Sequence, residues 1–288
     1  MRALAKALVP VLVLLLLAGC GQRAEQPPPE PAAPAPAEAV RQPEPEPKPE
    51  PVPAEACLLV MGWDPWPPFH FIDHAGELTG FDIELVKALA AEVGCELEFR
   101  RDSWVDLLAG IRSGQIHLVT GATKTPEREQ YALFSAPVRF EEFALFVRAG
   151  EGARWLVGDI RDIMDAGMRL GVTEAYVYGD TLNAVLEDPA YGDRVKRARF
   201  GDANLARLME LEVDGFLEDR HAARAMIRRL GLEEEIRPLP VAIGKSTEVR
   251  IMFSREAVAP ELVDRFDAAL EAVRARGQYD SIESRYFN

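Results

Sequence analysis

Two short apolar runs, "CLLVMG" from Cys57 and "CELEFR" from Cys95, flank the helix-patterned stretch "FDIELVKALAAEVG". This arrangement constrains the fold more than any other part of the chain. Its middle carries Ile83, Leu85, Val86, Leu89 and Val93, a spacing that gathers apolar side chains on one helical face. Asp82 is placed as the N-cap and Gly94 as the residue just past the C-terminus. The flanking runs are strands. If they lie side by side and parallel, Cys57 and Cys95 start them at the same end, within reach of a disulfide. Two reduced thiols at strand starts are the alternative.

The same grammar continues. After a loop rich in aromatics and proline, "WDPWPPFHFIDHAGELTG", and the helix just described, "WVDLLAGIRSG" is a short helix ended by Gly114, and "IHLVTG" is a buried strand. The β-α-β-α-β order implies a parallel sheet covered by helices on both faces. Later, "MRLGVT" and "DGFLED" are strands, and "DTLNAVLED", "NLARLMELEV" and "HAARAMIRRLG" are helices. The expectation is an α/β protein of two lobes, each a mostly parallel sheet flanked by helices. The last segment is a strand, "EVRIMFS", and a helix with Leu262, Phe266, Leu270 and Val273 on one face, followed by a further helical turn, "YDSIESRYF". Too small to stand alone, it must pack on one of the lobes.

The N-terminal region has a different composition. Arg2 and Lys6 precede an apolar run from Ala7 to Ala18 that is too short to span a bilayer but suits the core of a signal peptide, placed at residues 1–19. It finishes "LAGC", which resembles the lipobox of bacterial lipoproteins and implies cleavage before Cys20 and attachment of lipid to it. A signal peptide merely followed by a cysteine is the alternative. From Gln22 to Glu55, 12 of 34 residues are proline and seven are glutamate. With Cys20, residues 20–55 form a tether that reaches roughly 100 Å if extended as polyproline II.

The chain holds 47 acidic and 33 basic residues, a net charge of −14, and loss of Arg2 and Lys6 with the signal peptide makes it more negative still. That balance argues against nucleic acid as a partner. Any site for an anion must be built locally, which directs attention to "GATKTPERE", Gly121 to Glu129, where an arginine follows a small-residue turn and a helix-starting Thr-Pro.

In order and spacing, "GELTGFDIELVKALAAEVG", "LLAGIRSGQIHLV", "GATKTPEREQYALFSAP" and "FDAALEAVRARGQYDSIESRYF" resemble the family 3 extracellular solute-binding proteins. These are the periplasmic amino-acid-binding components of ABC transporters, and the likeness covers about residues 57–288. The resemblance implies a type II periplasmic-binding-protein fold in which the chain crosses twice between lobes. Lobe 1 would be residues 57–145 with 246–288 and lobe 2 residues 146–245, with crossings near "FALFVR" and "VAIGKST". It also implies an exported monomer that captures a small carboxylate ligand, most simply an amino acid, in the cleft by hinge closure and delivers it to an ABC permease. No cofactor, metal or catalytic residue belongs to that picture.

Carried over by position, Arg128 would grip the ligand's α-carboxylate, because a guanidinium offers a planar, bidentate, permanently charged fork. Thr120, Gly121 and Thr123 would assist, with Thr125-Pro126 starting the helix that aims the arginine. Asp219, at the end of a lobe 2 strand, matches the carboxylate that receives the ligand's ammonium, with Glu218 as the substitute if the register shifts by one. Trp66, Phe69 and Trp104 match the aromatics that enclose the ligand, and Asp64 matches a position that can contact a basic side chain. Each has a plainer alternative: a surface arginine among glutamates, a helix cap at Asp219, and core packing for the aromatics. The chain departs from the family at "GVTEAYVYGD", where Ala175 and Tyr176 replace the usual Gly-Thr and Tyr176 narrows the cleft or meets the ligand. It departs again at His117, in place of an aspartate, and at Pro137-Val138, in place of Pro-Tyr.

Other chemistries are poorly supported. "GKST" lacks the earlier glycine of a phosphate loop, since that position is Leu239. His70 and His74 would pair on zinc only on a helix, and their stretch reads as strand and turn. Two rivals use the same fold: a cyclohexadienyl-dehydratase-like enzyme with Glu174, Glu218 or Asp219 as general acid, and a ligand-sensing lipoprotein. Anchor and tether favour capture and delivery over catalysis.

Overall fold

The computed structural model describes residues 57–287 apart from 157, 242, 244 and 245. The expected signal peptide, Cys20 and the tether lie outside the described residues, as does part of "VAIGKST". The chain opens with β1 (Cys57–Trp63), the hairpin β2 (Phe71–Ile72) and β3 (Leu78–Thr79), α1 (Phe81–Val93), β4 (Cys95–Arg101), α2 (Trp104–Ser113) and β5 (Leu118–Thr123). The single-turn α3 (Pro126–Glu129), β6 (Ala132–Phe134) and β7 (Arg139–Glu141) follow. The second lobe holds β8 (Phe143–Arg148), α4 (Ile160–Asp165), β9 (Leu170–Thr173), α5 (Asp180–Leu186), β10 (Val195–Ala198), α6 (Gly201–Met209), β11 (Gly215–Asp219), α7 (Arg220–Leu230) and β12 (Ile236–Pro238). The chain returns through β13 (Thr247–Ser254), α8 (Pro260–Ala275) and α9 (Gln278–Phe287).

One sheet runs β4-β1-β5-β13-β6 with β7 also on β13, and the other runs β10-β9-β11-β8-β12. Strands joined through helices pair in parallel: β1 with β4 and β5, and β9 with β10 and β11. The strands that carry the chain between lobes pair antiparallel, β8 with β11 and β13 with β5. Each sheet is therefore mixed rather than mostly parallel, because a strand arriving from the other lobe enters without a helical crossover of its own. The sheet changes at Glu142, between β7 and β8, so Phe143 to Leu145 pair with the second sheet rather than the first.

The alternation of strand side chains places a core on both faces of each sheet. Leu59 and Met61 of β1 join α1 and α8 in one cluster, while Val60 joins Leu107, Ile111 and Trp104 of α2 on the opposite face. In the second lobe Leu145 and Val147 of β8 face one way and Ala144 and Phe146 the other. On α8 the buried residues are Val263, Phe266, Ala269, Leu270 and Val273, and Leu262 is only partly covered. Cys57 lies opposite Cys95 in the parallel β1–β4 pair, and the two are disulfide-bonded.

The start of α1 corrects the sequence reading. Gly80 is the N-cap, with a φ of 124°, and no side chain caps the helix. A Cβ there would meet the Phe69 carbonyl oxygen at 2.2 Å, so only glycine fits so close a backbone approach. Asp82 sits inside the first turn and is buried, drawn inward by two cations rather than outward onto the helix end. Gly94 does close the helix in the left-handed conformation.

Candidate functional site

The strands deliver their carboxyl ends to one place, where open α/β sheets hold their ligands. Asp64 and Trp66 follow β1, Thr120 to Thr123 end β5, Ala175 to Val177 follow β9, and Glu218 and Asp219 end β11. Between them is a cavity of about 20 Å³ lined by Asp64, Trp66, His70, Trp104, Thr120, Gly121, Thr123, Arg128, Glu141, Phe143, Tyr176 and Val177. Both lobes contribute.

Arg128 is 5% exposed. Thr125 caps α3 by accepting a hydrogen bond from the Arg128 amide, and Pro126 supplies the fixed backbone of its first residue. This single turn points the guanidinium inward. Its Nη1 donates to the Thr123 carbonyl and its Nη2 to the Ala175 carbonyl of the other lobe, both at 2.9 Å. Burial lowers its pKa, yet a guanidinium remains charged. Gly121 has a φ of 67°, and a Cβ there would stand 2.9 Å from the Trp66 ring, so both backbone and space demand glycine.

A buried charge network backs the opposite wall. Arg139 donates through Nε and Nη2 to the two oxygens of Asp82, at 3.2 and 3.3 Å. His70 lies between Asp64 and Asp82, at 3.6 and 3.5 Å from their carboxylates. Burial would lower the His70 pKa, but the hydrogen bonds and charges of Asp64 and Asp82 outweigh it and raise it to about 9. Burial would raise Asp82, but Arg139 and His70 outweigh it and hold it at about 2. A doubly protonated His70 donates from Nδ1 to the Asp64 carbonyl and from Nε2 to Thr120 Oγ1. The Thr120 hydroxyl is thereby an acceptor towards His70, and its own proton is free to turn into the cavity.

Two carboxylates on the crossing side have the opposite character. Glu141 lines the cavity, and burial raises its pKa well above the ordinary value, with Arg139 opposing and Asp219, Glu218 and Asp82 adding to the rise. Burial likewise lifts Glu218 to about 8 against a hydrogen bond donated by Trp66 Nε1 at 3.0 Å.

Of the residues expected from sequence, Asp64, Trp66, Trp104, Thr120, Gly121, Thr123, Arg128 and Tyr176 line the cavity. Phe69 and Asp219 do not. Phe69 is buried in the core, with the Arg139 guanidinium 3.7 Å from its ring centre, so it positions the charge network. Asp219 caps α7: its Oδ1 accepts from the amides of His221 and Ala222 and its Oδ2 from that of Glu142. Three backbone donors thus hold this carboxylate at the helix end. Glu218, one residue earlier, is the carboxylate that reaches across to lobe 1. His70, Glu141, Phe143 and Val177 were missed. Glu141 carried no clear signal, since "RFEEF" alternates charge and phenylalanine as a solvated edge strand would, and only the structure shows Arg139 and Glu141 buried with Phe140 exposed.

Residues 59–288 match the family model of the bacterial extracellular solute-binding proteins, family 3. The chain belongs to this family. Among family 3 relatives, it is 27% identical over 226 residues to a probable histidine-binding protein of Neisseria gonorrhoeae, covering 76% of this chain and 79% of the relative. It is 25% identical over 229 residues to the putative ABC transporter arginine-binding protein 2 of Escherichia coli (strain K12), covering 77% and 87%. Its structure is similar to that of an ancestral arginine-binding protein bound to glutamine, with a TM-score of 0.68, 27% identity and coverage of 80% and 97%. The arginine-binding protein of T. maritima shares the fold at a TM-score of 0.68 and 22% identity, covering 80% of this chain and 95% of that one.

Proposed function

We propose that this protein captures an amino acid between its lobes outside the cytoplasm and presents it to an ABC permease. One observation carries the reading: one cavity sets the Arg128 guanidinium among the carboxyl groups of Asp64 and Glu141 and the indoles of Trp66 and Trp104. A zwitterion is the chemistry such a site compensates. Its carboxylate meets Arg128 with the Thr120 hydroxyl in support, and its ammonium meets Glu141, which lines the cavity where Asp219 does not. The relatives named as histidine- and arginine-binding support an amino acid as the ligand. After removal of the signal peptide, lipidated Cys20 and the Pro/Glu-rich tether would hold a monomer at the membrane surface within reach of its permease.

A thermal-shift panel of amino acids, small carboxylates and amines tests the reading, because a ligand that binds only the native state raises its melting temperature. An amino acid giving a shift proportional to the logarithm of its concentration is the expected result. A shift with simple amines or carboxylates alone would overturn it.

Binding should also be linked to protons. Glu141 holds its proton to unusually high pH, and a ligand ammonium beside it favours the ionised form, so binding releases that proton. Affinity should therefore rise with pH through the range in which Glu141 is protonated, by up to about tenfold per unit. Calorimetry in buffers of different ionisation enthalpy should detect the release, and Glu141→Gln should both weaken binding and flatten its pH dependence.

A further inference from the structure

The segment after β9 places its own atoms where a captured ligand would go. The Ala175 carbonyl accepts from Arg128 Nη2 at 2.9 Å and from Trp104 Nε1 at 3.3 Å, so a lobe 2 backbone oxygen faces two donors of lobe 1. The Tyr176 ring stands edge-on to both indoles, 6.2 Å from Trp66 and 6.2 Å from Trp104. It packs at once against the Leu170–Tyr178 core of lobe 2 and the Trp104–Met252 core of lobe 1. The space left is about 20 Å³, room for one water and far less than any amino acid needs. Ala175 has a φ of 58°, one of two non-glycine residues with positive φ among the described residues. That conformation strains an L-residue, and such strain persists where the surrounding structure imposes it.

We propose that Ala175 and Tyr176 are a built-in occupant of the ligand site, which a ligand must displace, so that Tyr176 determines affinity and selectivity. This rests on the amino-acid reading of the same cleft. The occupant supplies an oxygen acceptor at Arg128 and a flat ring between Trp66 and Trp104. A ligand regains what displacement loses only by offering both, a carboxylate and a flat side chain. Glycine offers the first without the second.

The test titrates L-arginine, L-histidine, L-phenylalanine and glycine calorimetrically into wild type, Tyr176→Phe and Tyr176→Thr. Tyr176→Phe keeps the competing ring, so every amino acid should bind it more weakly than it binds Tyr176→Thr, with glycine silent. Tyr176→Thr removes the competitor, and whichever flat amino acid binds wild type should bind it at least tenfold more tightly. Equal or weaker binding to Tyr176→Thr would overturn the proposal, because the ring would then be a ligand contact rather than a competitor. If no amino acid binds any of the three, the amino-acid reading fails by itself, and acrylamide quenching of tryptophan emission decides the occupant. Steeper quenching in Tyr176→Thr than in Tyr176→Phe supports it, and equal quenching overturns it.

Discussion

Replacing Arg128 with alanine is expected to weaken amino-acid binding by about 30-fold or more, with the fold retained. Truncating one partner of a buried, hydrogen-bonded charge pair costs about 2–5 kcal/mol, and each 1.4 kcal/mol is a factor of ten in affinity. Arg128 is the cation that α3 aims into the cavity, and among the described residues no other cation lines it apart from His70, which is already engaged by Asp64, Asp82 and Thr120. Arg128→Lys should fail nearly as badly, since an ammonium on a flexible stem cannot reproduce the planar fork held against the Thr123 carbonyl. Isothermal titration measures the loss, and far-UV circular dichroism with the melting temperature shows whether the variant is folded. A folded Arg128→Ala protein with wild-type affinity would remove Arg128 from the site.

The second large effect is on stability. Asp82→Ala should destabilise the protein by about 3–5 kcal/mol, because it strands the Arg139 and His70 charges in the core. For a chain of this size that lowers the melting temperature by about 10 °C. The pH dependence follows from the two shifted groups. Asp82, held at about 2, contributes stability that is fully present above the ordinary carboxylate range and is lost as pH falls through 2. His70, held at about 9, contributes stability that is present below its ordinary pKa and is lost as pH rises through 9. Wild type should therefore outlast Asp82→Ala by the widest margin between about pH 4 and 6.5. Urea denaturation at pH 3, 5.5 and 9 checks this. A constant difference across that range would mean that the Asp82 carboxylate acts by packing and not by charge.

Much of the architecture was legible because it depends on local regularities. Apolar periodicity marked α1 and α8, and glycines marked helix ends at Gly94 and Gly114, where the backbone turns left-handed. The cysteines at the starts of two strands marked their pairing. The mixed character of the sheets was not legible, since whether β13 runs with or against β5 depends on which lobe the chain has just left. The Asp82 reading failed for a related reason. An aspartate near a helix start is normally a cap, and only the approach of Arg139, 57 residues later in sequence, turns it inward.

The site divides along the same line. Arg128 was marked by the family resemblance, and the turn that aims it was legible because Thr125 and Pro126, which start it, lie within three residues of it. The choice between Asp219 and Glu218 could not. Adjacent strand residues point to opposite sides, and only the assembled lobes show that the first caps α7 while the second meets Trp66. Sequence singled out Tyr176 as narrowing the cleft or meeting the ligand, but could not choose between the two. Local spacing is short-range information that the chain carries in itself. The filling of a cavity between two lobes is decided by contacts across long sequence separations, here between Ala175 and Arg128 and between Tyr176 and Trp66, which exist only once both lobes are folded and closed.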